Sequence, residues 1–224
     1  MMNKKISVIM SAYNASNSIE NSINSILNQS YTNFEFLIID DQSIDNTFEI
    51  IRNYSLKDKR IKIFQNNVNL GLTKSLNILI DYAEGEILAR QDSDDISLKN
   101  RFEKQISFFN KYKVVTARSS SIQSGKKIPG KSFYLPTSIT TKYKNPYIHG
   151  TMMIEKCCML ELGKYDETFL YAQDYKLFLE LIKRGIKIKS INKVLYLLNT
   201  SDNLSNNKKI EQRKFFELAR KEYR

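Results

Sequence analysis

The stretch from Glu86 to Asp95, EILARQDSDD, decides how the rest of the chain is read. Glu86 to Ala89 is a short, largely apolar run of strand length. It leads directly into Arg90, Gln91 and three carboxylates, Asp92, Asp94 and Asp95, with Ser93 between the first two. Clustered carboxylates repel one another unless a cation or hydrogen bonds neutralise them. At a strand end, two carboxylates two residues apart point into one cleft. A hard cation such as Mg2+ or Mn2+ takes one or two of them and completes its octahedron with phosphate oxygens. The plain alternative is an acidic turn whose Asp residues cap the next helix. The position at the end of a strand favours chemistry.

Working towards the N-terminus, strand and helix signals alternate. Ile6 to Met10 is a buried-strand run followed by Ser11-Ala12-Tyr13-Asn14. Asn17 and Glu20 have the spacing of a capping box, and Ile19, Ile23, Ile26 and Leu27 recur at helical spacing. Phe34 to Ile39 is a second strand ending at Asp40-Asp41, whose carboxylates can accept from a base N–H or a ribose hydroxyl. Asp45 is placed to cap a helix carrying Phe48, Ile51 and Tyr54. Ile61 to Phe64 is a third strand, and Leu72, Leu76, Leu79, Ile80 and Ala83 mark a third helix. This alternation predicts an α/β fold with a mostly parallel sheet and helices on both faces. Ligands of such sheets bind at the carboxyl ends of the strands. The three polar clusters, SAYN, DDQSID and QDSDD, all fall on that rim.

Towards the C-terminus the pattern loosens. Phe102, Ile106 and Phe109 suggest a helix, and Val114 to Thr116 a strand. The region 119–146 reads as loops and short strands around Gly125, Pro129, Gly130 and Pro136. Tyr175, Phe178, Leu179 and Ile182 mark a helix stopped near Gly185, and Val194 to Leu198 a strand. The expected organisation is a domain over 1–205, with halves 1–118 and 119–205, and a basic helix over 206–224. That tail, from Lys208, interleaves Lys and Arg with Phe215, Phe216, Leu218 and Tyr223. It suits either an anionic membrane or a packing surface.

The 224 residues carry a net charge of +11, with 42% hydrophobic and 26% charged residues. Such a charge attracts polyanions, although lysines spread along the chain equally suit a solvated surface. The only cysteines, Cys157 and Cys158, are adjacent, which disfavours a disulfide between them and suits a reducing compartment. No apolar run reaches bilayer-spanning length. The start, MMNKK before ISVIM, reads as a first strand rather than a leader, so the cytoplasm is the expected location.

The segments ISVIMSAYN, FLIIDDQSIDNT, NLGLTKSLN, ILARQDSDD and YAQDYKLFLELIKRG, in this order, resemble the family 2 glycosyltransferases of GT-A fold, especially bacterial surface-polysaccharide enzymes. The resemblance implies an inverting transfer of sugar from a nucleotide-sugar donor, UDP-linked by preference, to a glycan or lipid-linked acceptor. It also implies a Mn2+ or Mg2+ cofactor, while the basic tail leaves open peripheral contact with the inner face of the plasma membrane or packing in a homodimer. Nucleic acid is not an expected partner. Ala12, Tyr13 and Asn14 would lie along the nucleotide. Asp40 would bind the uracil edge, Lys74 would approach the base, and Asp92 and Ser93 would lie at the ribose. Asp94, with Asp92, would hold the metal. Asp174 matches the general base. His149, Gln173 and Asn199 would contact acceptor or substrate.

The chain departs from the family at several points. Gln173 replaces a Glu before the base, Gln42 a Gly, the Ser11-Ala12 pair a Pro, and Asn199 a His that helps hold metal or phosphate. At the last position Asn would offer only a weaker oxygen contact. These changes leave a weakened enzyme as an alternative. A nucleotidyltransferase would need a Gly-rich basic phosphate loop, which SAYNASNS lacks. A nucleic-acid-binding protein would fit the charge but shows no recognised motif.

Overall fold

The structure, a computed structural model, describes residues 4–201 and 209–223. Its first half is β1 (Ile6–Ala12), α1 (Ile19–Leu27), β2 (Phe34–Asp40), α2 (Thr47–Lys57), β3 (Ile61–Gln65), α3 (Leu72–Tyr82) and β4 (Ile87–Arg90). β1 runs parallel to β2 and β4, and β2 parallel to β3. β2 is buried along its whole length because both faces of the sheet are covered. Val8, Met10, Phe36 and Ile38 face α1 and α2 through Ile19, Ile23, Ile26 and Ile51. Their neighbours Ile9, Leu37, Ile39 and Leu88 face the opposite side, with Leu76, Leu79 and Ile80 of α3. The two-residue period of the strands thus divides one core into two layers.

The second half is β5 (Ile96–Ser97), α4 (Arg101–Ile106), β6 (Val114–Ser121), β7 (Lys127–Ile128), α5 (Thr137–Thr140), β8 (Met153–Glu155), α6 (Lys156–Glu161), α7 (Gln173–Lys183), β9 (Ile188–Leu198) and α8 (Lys209–Tyr223). One sheet runs in the order β3-β2-β1-β4-β8-β6-β9-β5, with β7 on the side of β6. β8 enters antiparallel between β4 and β6, and β9 runs parallel to β6. The expected boundary at 118/119 therefore lies inside β6, and the two halves are continuous through the sheet. The boundary at 205/206, the tail's ends Lys208 and Arg224, and the first three residues lie outside the described residues.

Several local expectations change. Ser18, not Asn17, precedes the first turn of α1, and no side chain caps it. Glu20 instead accepts a hydrogen bond from the Tyr54 hydroxyl of α2 at 2.9 Å. Asp45 sits one residue before the N-cap Asn46 and ties two rim loops together. Its carboxylate accepts from the Thr47 amide (3.0 Å), the Thr47 hydroxyl (2.5 Å) and the Ser16 amide (3.1 Å). Burial opposes ionisation there, but these bonds prevail and hold the Asp45 carboxyl at about 2.

The tail is a packing helix. Ala219 is buried, Phe216 stacks on Tyr175 of α7 with centroids 4.0 Å apart, and Glu222 pairs with Lys176. Both cysteines are free. Among the described residues no helix is long and apolar enough to cross a membrane.

Candidate active site

Parallel register brings Ala12, Asp40 and Arg90 to one rim of the sheet. The acidic turn begins there. The Gln91 carboxamide fastens it, its nitrogen donating to the Ser22 hydroxyl (2.9 Å) and to the carbonyls of Asp92 (3.1 Å) and Asp95 (2.9 Å). Ser22 in turn donates to the Asp92 carbonyl at 2.7 Å. Two fully buried arginines lie beneath. Arg90 reaches the Asp92 carboxylate at 2.5 Å and the Gln91 carbonyl. Arg101 donates to the Arg90 carbonyl (2.9 Å) and the Ser97 hydroxyl (2.8 Å), with its guanidinium 5.2 Å from the Tyr196 ring centroid.

Two guanidiniums face three carboxyls, so the turn carries surplus negative charge when all ionise. Burial, then the charge of Asp92, raises the Asp94 carboxyl to about 6. Burial, Asp92 and Asp94 push Asp95 up as well, although the Asn199 amide donates to it at 2.6 Å. A divalent cation would relieve this strain.

Asn199 stands just after β9 and meets Asp94. Asn199 Oδ1 accepts from Gln123 Nε2 (2.7 Å) and the Ser201 hydroxyl (2.8 Å), while Nδ2 faces Asp94 Oδ2 at 3.3 Å. The side chain therefore offers Asp94 an N–H.

Gly150 passes so close to this turn that an added Cβ would fall 2.8 Å from Asp92 Oδ2 and closer still to the Tyr196 hydroxyl. That hydroxyl accepts from the Asp92 amide at 3.1 Å. Beside Gly150, His149 is half-buried with Nε2 2.7 Å from the Tyr165 hydroxyl. Burial, then Arg90, holds its imidazole well below the usual range, so it is neutral. The segment around His149 reaches both groups, Gly150 packing against Asp92 and Asn145 meeting Asp174 of α7.

Asp174 is the second residue of α7, after the half-buried Gln173. Ala172, just before the helix, takes a left-handed φ of 54°, a conformation alanine adopts at a cost of roughly 1 kcal/mol. Asn145 Nδ2 donates to Asp174 Oδ2 at 2.7 Å, and Asn145 Oδ1 accepts from the Tyr147 amide at 3.0 Å, which fixes the amide's direction.

At the end of β1, Ala12 is buried and Tyr13 beyond it is half exposed. Asn14 bridges to the next loop, its amide donating to the Ser43 hydroxyl and its Oδ1 accepting from the Ile44 amide, both at 3.0 Å. Asp40 is fully buried. Its Oδ2 accepts from the Ser43 amide (3.1 Å), whereas its buried Oδ1 has no hydrogen-bond partner among the described residues. Asp41 is structural: it accepts from Asn66, Leu70 and Gly71 and holds the loop before α3. Gln42 adopts φ 63°, the conformation that explains the family's Gly there. Lys74 is exposed in the first turn of α3, and Ser93 is half-buried in the acidic turn.

The sequence reading missed Arg90 and Arg101 as counter-charges, Gly150 as a close approach and Asn145 as the partner of Asp174. Asn145 and Gly150 had a signal in their place in the segment NPYIHG, and Arg90 in its place before the acidic turn, whereas Arg101 had none.

Residues 7–169 match the family model described as glycosyl transferase family 2. Over 192 residues the chain is 35% identical to the UDP-Glc:alpha-D-GlcNAc-diphosphoundecaprenol beta-1,3-glucosyltransferase WfgD of Escherichia coli, covering 84% of this chain and 73% of that protein. It is 32% identical over 202 residues to the O-antigen biosynthesis glycosyltransferase WbnJ of the same species, covering 87% of this chain and 78% of WbnJ. Among solved structures, residues 1–349 of S. aureus TarS in complex with UDP-GlcNAc align with a TM-score of 0.80 at 21% identity, over 96% of this chain and 65% of that one. The mannosyltransferase PcManGT from Pyrobaculum calidifontis, in complex with GDP-Man and Mn2+, aligns at 0.79 and 15% identity, over 98% of this chain and 64% of that one. At these identities the two structures show the fold, and this chain spans 65% and 64% of their lengths.

Proposed function

The chain belongs to glycosyl transferase family 2, and from that premise we propose that it moves a sugar from a UDP-linked donor to a hydroxyl of a glycan or lipid-linked acceptor, with inversion. The observation that supports this reading is that one short segment reaches both acidic groups: Gly150 packs against the Asp92 carboxylate, and Asn145 donates to Asp174. In the proposed reaction Asp174 takes the acceptor hydroxyl proton as that oxygen attacks the anomeric carbon. The bond from that carbon to the diphosphate breaks on the opposite face, and UDP leaves. Asn145 occupies one oxygen of Asp174 and leaves the other for the acceptor. Asp40 Oδ1, buried without a partner, suits a base N–H such as that of uracil.

Among the described residues no three His, Cys, Asp or Glu side chains form an all-protein metal cage. Mn2+ and Mg2+ do not need one, because substrate phosphates supply the remaining oxygens. Asp94 and Asp92 fit such a cation by donor type, by their place on one turn and by their mutual repulsion. Bound there, the metal would offset charge on the departing diphosphate. The reaction belongs at the cytoplasmic face of the plasma membrane, where nucleotide sugars and lipid-linked acceptors meet. Calorimetry of UDP with Mn2+ and with chelator tests the reading. Binding should be much tighter with metal, and Asp94→Ala should erase the difference. Equal affinity in the wild type would remove the metal from the proposal.

A further inference from the structure

Between Ile122 and Lys144 the chain carries five lysines, Lys126, Lys127, Lys131, Lys142 and Lys144, with no Arg, Asp or Glu. All five are exposed. The same segment exposes Ile122, Tyr134, Leu135, Ile139 and Tyr143, from 44% to 74% of each residue. Some lysines elsewhere are matched, Lys62 with Glu35 and Glu84, Lys164 with Asp81, and Lys176 with Glu180 and Glu222, but what sets this segment apart is that its lysines lie together with exposed apolar side chains and no carboxylate. No ion pair engages the five lysines among the described residues.

The segment also borders the active site. At one end Gln123 holds Asn199, which faces Asp94. At the other, the Thr141 carbonyl accepts from Tyr175 of α7, and Asn145 holds Asp174. Between them β7 pairs with β6, and the Arg118 guanidinium lies 5.0 Å from the Phe133 ring centroid and 5.9 Å from that of Tyr134. A cleft of about 310 Å3, walled by Phe133, Leu135, Pro146, Tyr147 and Ile188, opens beneath.

We infer that this face docks on an anionic lipid bilayer and sets the opening of the active site against the headgroups. Unpaired lysines bind the anionic surface, and the protruding apolar side chains enter the boundary with the acyl region. Nucleic acid fits less well. Tyr134 and Tyr143 could stack on bases, but the likewise exposed Ile122, Leu135 and Ile139 could not, and the segment lacks the arginines that read base edges. The basic tail is not this surface, because its aromatic side covers α7. The inference stands apart from the donor chemistry.

Co-sedimentation of the full chain with vesicles of equal phosphatidylcholine and phosphatidylglycerol, and with phosphatidylcholine alone, tests it. The wild type should bind only the anionic vesicles, and less at high salt. Each lysine contributes about fivefold, so the charge reversals Lys126→Glu/Lys127→Glu/Lys131→Glu should lose at least about a hundredfold. That variant should keep its melting temperature and its affinity for UDP. Leu135→Ser/Ile139→Ser should weaken vesicle binding without changing net charge, and Lys214→Glu/Lys221→Glu in α8 should bind less weakened than the triple variant. The inference fails if the triple variant binds like the wild type, if the α8 variant loses as much, or if neutral vesicles bind equally. It also fails if single-stranded RNA binds through these lysines while the vesicles do not.

Discussion

Asp92, Asp94 and Asp95 are tolerated together because Arg90 and Arg101 lie buried beneath them and Gly150 leaves room above. Gly150→Ala would drive a methyl into Asp92 and Tyr196. We expect it to cost about 1–3 kcal/mol of stability and to displace Asp92 enough to weaken metal-dependent UDP binding. A denaturant titration with calorimetry checks this, and wild-type values in both would show that the contact is slack. For Asp174 the expected outcome is sharper. Asp174→Asn should keep donor affinity and lose turnover by at least ~100-fold, the effect of removing a general base. Asn145→Ala should lose less, mainly in kcat, because it frees one oxygen of the base rather than deleting it. Near-normal turnover of Asp174→Asn would remove it from the mechanism. The sequence exposed the acidic residues because carboxylates at a strand end are costly without a purpose. It hid the roles of Gly150 and Asn145, which depend on Tyr196 and Asp174, far along the chain.

α7 carries Asp174 on one side and is clamped by α8 on another. Phe216 and Tyr175 stack at 4.0 Å with planes 11° apart, beside the edge contact of Phe215 with Phe169. Phe216→Ala should therefore lower stability by about 2 kcal/mol, somewhat below a full core truncation because Phe216 is only half-buried. It should also lower kcat while leaving vesicle binding intact. Lost vesicle binding with an unchanged melting temperature would instead make α8 a membrane helix. The first four strands and three helices were legible because each shows several apolar residues at one period. β8 was not: it is three residues long and enters the sheet antiparallel, breaking the strand–helix alternation. β9 runs from Ile188, not Val194, because Val114 to Ala117 of β6 pair with Ile188 to Ile191, where Lys189, Ser190 and Asn192 conceal a strand period.

One sheet crosses the whole molecule, so the acidic turn on β4 and Asn199 on β9 are linked to global unfolding. That makes the protonation of the turn a stability term. Asp94, with an ordinary value of 3.8, is raised to about 6, and Asp95 is raised too. The folded protein therefore holds protons that the unfolded chain has released. This stabilising contribution is complete below about pH 4 and is lost as the pH rises through 6 and beyond. The carboxylates left ionised at higher pH repel one another until a cation joins them. Protons also compete with the cation at Asp94, so its affinity should fall by up to about tenfold per unit below pH 6. Metal-free melting curves should accordingly fall between pH 5.5 and 8.5. The increase produced by Mn2+ with UDP should be larger at pH 8 than at 5.5, at roughly 2–4 °C per kcal/mol for a chain of this size. In Asp94→Asn the metal-free fall should shrink and the metal response should nearly vanish. If the wild type responds equally to metal at both pH values, Asp94 does not exchange a proton for the cation.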